Sequence, residues 1–205
     1  MRKVKNVISL ILVTVMLLSV SAFAASAESE KYVAKISVCC RVVFFGHVWL
    51  YFENLTGGDI KVGCYTVPAG QGVSVGTMSL SRSDGAGVYY NIEAYCGNKL
   101  GLSGTKSKST YLTASQLEKA SSEIVNRNSW TLNKNCGYFA SCVWNSVCAD
   151  GISYKFLPLQ MKSQLSGGIP SMIYPSKDRV YKQQGSGSGA NLKKVKNASL
   201  LMWVG

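Results

Sequence analysis

The feature that most limits what this chain can fold into is a change of period partway along it. From Tyr32 to Tyr95, strand-forming residues come in short or alternating runs, whereas after Thr113 apolar residues recur at helical spacing. The segment Val33-Ala34-Lys35-Ile36-Ser37-Val38 alternates, and His47-Val48-Trp49-Leu50-Tyr51-Phe52-Glu53 is a run of β-formers. Thr56-Gly57-Gly58-Asp59 reads as a hairpin turn into Ile60–Val67; a third run follows Pro68-Ala69-Gly70, and Val88–Tyr95 makes a fourth. Thr113-Ala114-Ser115-Gln116 has capping-box spacing and leads into a helix with Leu117, Ala120 and Ile124 on one stripe. Asn135, a good N-cap residue, opens a second helix with Cys136, Phe139, Ala140, Val143 and Val147 on one face. The expectation is an α+β fold, an antiparallel β-meander followed by helices.

Ahead of the strands lies a segment of a different kind. Arg2, Lys3 and Lys5 precede the apolar run Val7–Val20, and small residues follow in two cleavage patterns, Ala22-Phe23-Ala24 and Ala25-Ser26-Ala27. This is the layout of a bacterial-type export signal over residues 1–27, with cleavage after Ala27 preferred. An uncleaved anchor needs about 20 apolar residues, and this run is shorter, so no transmembrane anchor is expected after cleavage. The chain is therefore read as secreted, extracellular or cell-wall associated. Residues 28–184 are expected to form one domain, and Gly185-Ser186-Gly187-Ser188-Gly189 to begin a flexible linker and basic tail over 185–205.

The net charge of +12 leaves the chain strongly basic even without the three leader cations. Outside a bacterial cell that favours wall polyanions as partners. The cations are scattered apart from Lys193-Lys194-Val195-Lys196 and form no aromatic-interleaved stripe, so nucleic acid is not expected. The seven cysteines, Cys39, Cys40, Cys64, Cys96, Cys136, Cys142 and Cys148, are an odd count. In an oxidising compartment six can pair in disulfides while one is left over. Their spacing supplies no metal site, and no cofactor is expected.

With a single histidine in the chain, imidazole acid–base chemistry near neutral pH falls to His47. The preceding Gly46 lets the backbone turn sharply there. A thiol at the first turn of a helix feels the positive end of the helix dipole, and the first-turn N–H groups can receive an oxyanion. Cys136 occupies such a position, although position alone is equally compatible with half of a disulfide.

Asn135-Cys136-Gly137-Tyr138-Phe139-Ala140, with Trp130 before it and Val143-Trp144-Asn145 after it, resembles the helix start of the circularly permuted branch of the papain-like NlpC/P60 superfamily. That branch includes lecithin:retinol acyltransferase-like and YiiX/YaeF-like proteins, in which the histidine opens a strand before the cysteine opens a helix. Gly46-His47-Val48-Trp49-Leu50-Tyr51 ahead of Cys136 matches the order, and the resemblance covers roughly His47 to Val147. It implies a permuted NlpC/P60-like fold and a thiol peptidase, amidase or acyltransferase acting on an amide or ester of cell-wall peptide, lipid or another acyl substrate. Cys136 would be the nucleophile and His47 its base. The second histidine that retinol acyltransferase-like members place on the following strand is absent here. If the hairpin closes symmetrically about Gly57-Gly58, Thr66 lies diagonal to His47 and is favoured as the residue that orients it. A bulge would bring in Tyr65 or Cys64, and Asn54 and Glu93 are other polar residues on neighbouring strands. Trp49, Trp130 and Tyr138 are expected to contact substrate. The competing reading is a non-catalytic surface module on the same scaffold that binds wall polyanions.

Overall fold

Strand β1 (Ala34–Arg41) and strand β2 (His47–Asn54) pair antiparallel, with Arg41 opposite His47 and Ala34 opposite Asn54. In this computed structural model residues 31–42, 46–79, 84–196 and 198 are described, so the export signal expected over residues 1–27 and the end of the expected 185–205 tail lie outside the described residues. The chain divides into Met1–Lys31 and Tyr32–Gly205, and all that follows concerns the second unit. Alternation along β1 and β2 feeds two cores. Ile36, Val38, Cys40, Val48, Leu50 and Phe52 face one layer, while Cys39, Trp49 and Tyr51 face the other with Leu102 and Met172. Both faces are covered, which explains why β2 reads as a nearly continuous run of β-formers.

The sheet has seven strands in the order β7-β1-β2-β5-β6-β8-β9, with β5 at Gly72–Met78, β6 at Gly87–Tyr90, β7 at Lys106–Leu112, β8 at Tyr181–Gln184 and β9 at Asn191–Lys194. Every pairing within it is antiparallel. Together with four α-helices among the described residues this is a mixed α+β architecture, but not a simple meander followed by helices. Strand β7 returns to the β1 edge after a helix, and β8 and β9 extend the opposite edge after all the helices.

Three local expectations are corrected. Ile60–Val67 is not one strand continuing from β2; it breaks at Gly63 (φ +55°) into β3 (Ile60–Val62) and β4 (Tyr65–Val67), which form a separate two-stranded sheet. Val88–Tyr95 stops being a strand at Tyr90, because Asn91 takes a left-handed conformation (φ 66°, ψ 4°) and helix α1 (Ile92–Leu100) starts immediately. Asn is one of the few residues that tolerates that region without being glycine. The Gly185–Gly189 stretch is the turn of the β8–β9 hairpin rather than a linker, since Gly185 and Gly187 take positive φ and β9 pairs back onto β8.

The two long helices form as their caps predict. Thr113 makes a capping box with Gln116 at the start of α2 (Ala114–Asn126), which buries Leu117, Ala120 and Ile124. Asn135 caps α3 (Cys136–Val147), whose Phe139, Ala140, Val143 and Val147 join the main core. Such a cap contributes about 1 kcal/mol. A short α4 (Pro158–Lys162) follows, with proline at its first turn. No disulfide joins any of the seven cysteines in this structure. Cys39 and Cys40 are neighbours on one strand and so point to opposite faces, while Cys96 belongs to a third cluster with Met78, Tyr89 and Ile92.

Candidate active site

The position of Cys136 is fixed by the cap beneath it. Asn135 Oδ1 accepts the N–H groups of Gly137 at 3.0 Å and Tyr138 at 3.2 Å, and its Nδ2 donates to the Phe156 carbonyl at 2.9 Å. The cap does not use the N–H of Cys136 itself. A β-carbon at Gly137 would meet Met161 Sδ at 2.6 Å, so glycine there lets α4 lie directly on the first turn of α3. Cys136 is 6% exposed.

His47 meets Cys136 from the start of β2. Gly46, at φ +82°, turns the chain into the strand, and a β-carbon on it would crowd Pro158 at 3.0 Å. The imidazole is 8% exposed, stacks on Trp49 (centroids 5.8 Å apart, planes at 13°), and is hydrogen-bonded to Cys136. Its Nε2 lies 3.2 Å from Glu93 Oε1. With Nε2 on the carboxylate, the bond to sulfur falls to Nδ1.

Glu93 is held as firmly as the histidine. It is 1% exposed and sits in the first turn of α1. Ser74 on β5 donates to its Oε2 at 2.8 Å, and Ser74 Oγ in turn accepts the Ala94 N–H at 3.1 Å. Beside Ser74, Gly76 leaves the space the pair occupies: a β-carbon there would stand 2.1 Å from Glu93 Oε1 and 3.3 Å from His47 Nε2.

The electrostatics follow from these contacts. Burial pushes the Cys136 thiol up, but the charge and hydrogen bond of His47, with backbone bonds from Val48 and Gly137, outweigh it and leave the thiol below its ordinary range. Burial likewise disfavours the imidazolium of His47, and the Cys136 thiolate and Glu93 more than offset it, so its pKa is raised. Both directions favour the thiolate–imidazolium form of the pair over the neutral one. Burial instead lifts Cys39 and Cys64, and pushes Cys40 and Cys148 up to about 12. A thiol ionised beside a helix start is the form that acts as a nucleophile.

The expected site residues divide accordingly. Cys136 and His47 are brought together. Thr66 is not with them: it is exposed on β4, opposite Lys61 in the small sheet. The assumed hairpin closure fails because the next strand beside β2 is β5, with Leu50 opposite Val75, and the excursion between them folds on itself. Glu93 takes the orienting position instead. Trp49 is fully buried and supports the imidazole ring rather than offering a face to substrate. Trp130 is half-buried in the loop before α3. Tyr138 is half-buried, with Arg127 over its ring at 5.8 Å and Tyr154 edge-on at 5.6 Å. Tyr154 escaped sequence reasoning; burial first and the charge of Cys136 second raise the pKa of its hydroxyl, which donates to the Asn133 carbonyl at 3.4 Å. Ser74 and Gly76 also carried no sequence signal beyond small size.

Among the described residues, no three His, Cys, Asp or Glu side chains converge to hold a metal ion, and no helix is long and apolar enough to cross a membrane. No family model, no curated protein and no solved structure matches this chain.

Proposed function

We propose that this chain is a cysteine-dependent hydrolase or acyltransferase acting on an amide or ester, with Cys136 as nucleophile, His47 as acid–base and Glu93 as the group that orients His47. One observation carries the reading. A buried thiol at a helix N-terminus is hydrogen-bonded to the chain's single histidine, which is itself held by a buried carboxylate. The thiolate would attack the carbonyl, and the first-turn N–H of Cys136 would receive the oxyanion. Protonated His47 would pass its proton to the leaving amine or alcohol, giving an acyl-enzyme. Water or an acceptor hydroxyl would then release the acyl group as His47 takes up its proton.

The order of the parts, a histidine opening a strand before a cysteine opens a helix, supports a circularly permuted NlpC/P60-like architecture. The basic and apolar leader supports secretion, with cell-wall peptide or lipid as the substrate class.

The test is alkylation with iodoacetamide at pH 6, mapped by mass spectrometry. An ordinary thiol with pKa near 8.5 is about 0.3% ionised at that pH, so a thiolate already formed can react up to roughly 300-fold faster, less some loss of nucleophilicity. Cys136 should label first by one to two orders of magnitude, and a p-nitrophenyl ester should give an acyl burst that Cys136→Ala abolishes. Uniformly slow labelling, with no burst, would leave the chain a binding module and refute the proposal.

A further inference from the structure

Away from the catalytic centre, residues from 177 to 198 build a concave site with Tyr95 of α1. A cleft of about 800 Å³ is lined by Tyr95, Lys177, Asp178, Lys193, Lys194, Val195, Lys196 and Ala198. Four of these are lysines and one is acidic, and the acid is ion-paired to Lys194 at 2.9 Å. The floor is apolar: Val195 is buried, and Tyr95 and Ala198 pack against the small core of Met78, Tyr89 and Ile92.

Lysines on β9 alone would have a simpler explanation, since charged side chains on an edge strand discourage strand addition. That explanation does not reach Lys177, on a separate 3₁₀ turn (Lys177–Arg179), or Lys196, beyond the end of β9. Lys193 also stands directly opposite Lys182 in the β8–β9 register, but the Lys182 ammonium donates to the Asp84 carbonyl at 2.6 Å and does not line the cleft, which leaves Lys193 to it. The 3₁₀ turn, β9 and the residues just after β9 thus converge their cations on one cavity.

We propose that this cleft binds a linear phosphate polyanion, a chain of phosphate or phosphodiester groups running between the lysines over the Tyr95–Val195 floor. Ammonium groups match such a ligand because they are point charges on flexible stems and follow a backbone without demanding one fixed geometry. A flat anionic membrane cannot enter a concavity, and a single ring, Tyr95, offers no platform for successive bases. The cleft and the catalytic centre share α1: Glu93 belongs to the triad and Tyr95, two residues later, to the cleft. A polymer held here would keep the enzyme on a phosphate-rich matrix without occupying its active site.

Binding of fluorescent long-chain polyphosphate and of poly(glycerol phosphate) to the purified full chain would be measured by polarisation at two salt concentrations. The triple variant Lys177→Gln, Lys193→Gln, Lys196→Gln should weaken binding about ten- to hundredfold, three contacts each of the strength of an exposed ion pair. The charge-matched control Lys61→Gln, Lys106→Gln, Lys119→Gln should leave it within about twofold, and Asp178→Asn, which removes the competing acid, should tighten it about two- to fivefold. Preference for one polymer over the other identifies the source of the phosphate. Equal weakening by the two triple variants would reduce the effect to net charge and overturn the proposal. So would unchanged or weaker binding by Asp178→Asn, tighter binding of single-stranded oligonucleotide, or binding to anionic vesicles without binding to either soluble polymer.

Discussion

Replacing Glu93 with glutamine tests the site more sharply than removing the nucleophile, because the surrounding hydrogen bonds dictate how the amide must sit. Ser74 Oγ accepts the Ala94 N–H, so its own hydrogen points to Glu93 Oε2. In Glu93→Gln the amide oxygen is therefore drawn to Ser74, and the amide NH₂ faces His47 Nε2. That nitrogen must then be an acceptor, which puts the imidazole hydrogen on Nδ1, facing Cys136, and the ring can no longer take the thiol proton. Turning the amide restores the tautomer but leaves a buried Ser74 hydroxyl hydrogen without an acceptor, at a cost of about 1–3 kcal/mol, a factor of roughly ten to a hundred. Loss of the negative charge adds roughly another factor of ten, taken from the weak end of charged hydrogen bonds because the 3.2 Å contact is long. The expected fall in kcat/KM toward an activated ester is about 10²–10³-fold, with a parallel fall in Cys136 alkylation at pH 6. The further change Ser74→Ala frees the amide to turn and should recover the tautomer factor, about ten- to hundredfold, even as it costs stability. A loss of twofold or less in Glu93→Gln, or no recovery in the double variant, refutes the assignment of Glu93 and the hydrogen directions argued from Ser74.

Gly76→Ala puts a carbon 2.1 Å from Glu93 Oε1, and Glu93 is buried and pinned by Ser74, so the carboxylate must leave His47. The expected result is a loss of about 1–3 kcal/mol in chemical denaturation, with Cys136 alkylation slowed toward that of the other thiols; parental rates would contradict the crowding. Stability should also depend on pH in a way set by the ion pair. In the unfolded chain the thiol and imidazole titrate near 8.5 and 6.5, while folding lowers the first and raises the second. With the pair folded as thiolate and imidazolium, the unfolded chain holds one more proton between the lowered folded pKa of Cys136 and about 6.5, so stability rises with pH there by up to about 1.4 kcal/mol per unit; between about 6.5 and 8.5 the counts match and it is level; from about 8.5 until His47 itself titrates at about 10 the sign reverses. Cys136→Ser has no thiol proton to release on folding, so its acid-side slope should flatten, and an unchanged slope in urea titrations would count against a folded-state thiolate.

The parts of the fold that could be read from residues are those governed by neighbours in sequence. The Thr113 and Asn135 caps and the stripes behind them depend on spacings of three and four residues, and both helices start where those spacings place them. The meeting of Cys136 with His47 was legible only through the family resemblance carried by a strand-opening histidine ahead of a helix-opening cysteine. What escaped depends on which strands become neighbours. Choosing Thr66 required β2 to pair with the segment after Gly57-Gly58, and nothing local says that this segment prefers itself, leaving β2 to β5. Glu93 stood only among the other polar residues of neighbouring strands, and its place in a helical first turn was hidden because Val88–Tyr95 has strand composition throughout; Asn91 was the available sign that the strand could end there, since asparagine enters the left-handed region at small cost. The β8–β9 hairpin was masked in the same way, its turn glycines reading as a linker until a partner strand is seen.

The buried ion pair still has to be reconciled with the cost of burying charge, which is several kcal/mol per ion unless hydrogen bonds and opposite charge replace water. A thiolate, an imidazolium and a carboxylate together carry one net negative charge in a site where no member is more than 8% exposed. Both anions lie in the first turn of a helix, Cys136 on α3 and Glu93 on α1, so each meets the positive end of a dipole, and the one cation sits between them. On the proposed reaction this balance never changes. Attack moves the negative charge from sulfur to the carbonyl oxygen, within reach of the same first turn. Proton transfer to the leaving group then neutralises that oxygen, as the carbonyl reforms, and the imidazolium together, leaving Glu93 with the one net charge. Each state of the acylation half-reaction has the same total charge as the last, so the two helix starts stabilise all of them without reorganising. The argument requires Glu93 to supply a charge and not merely a hydrogen bond, which is the distinction that the Glu93→Gln and Ser74→Ala pair separates.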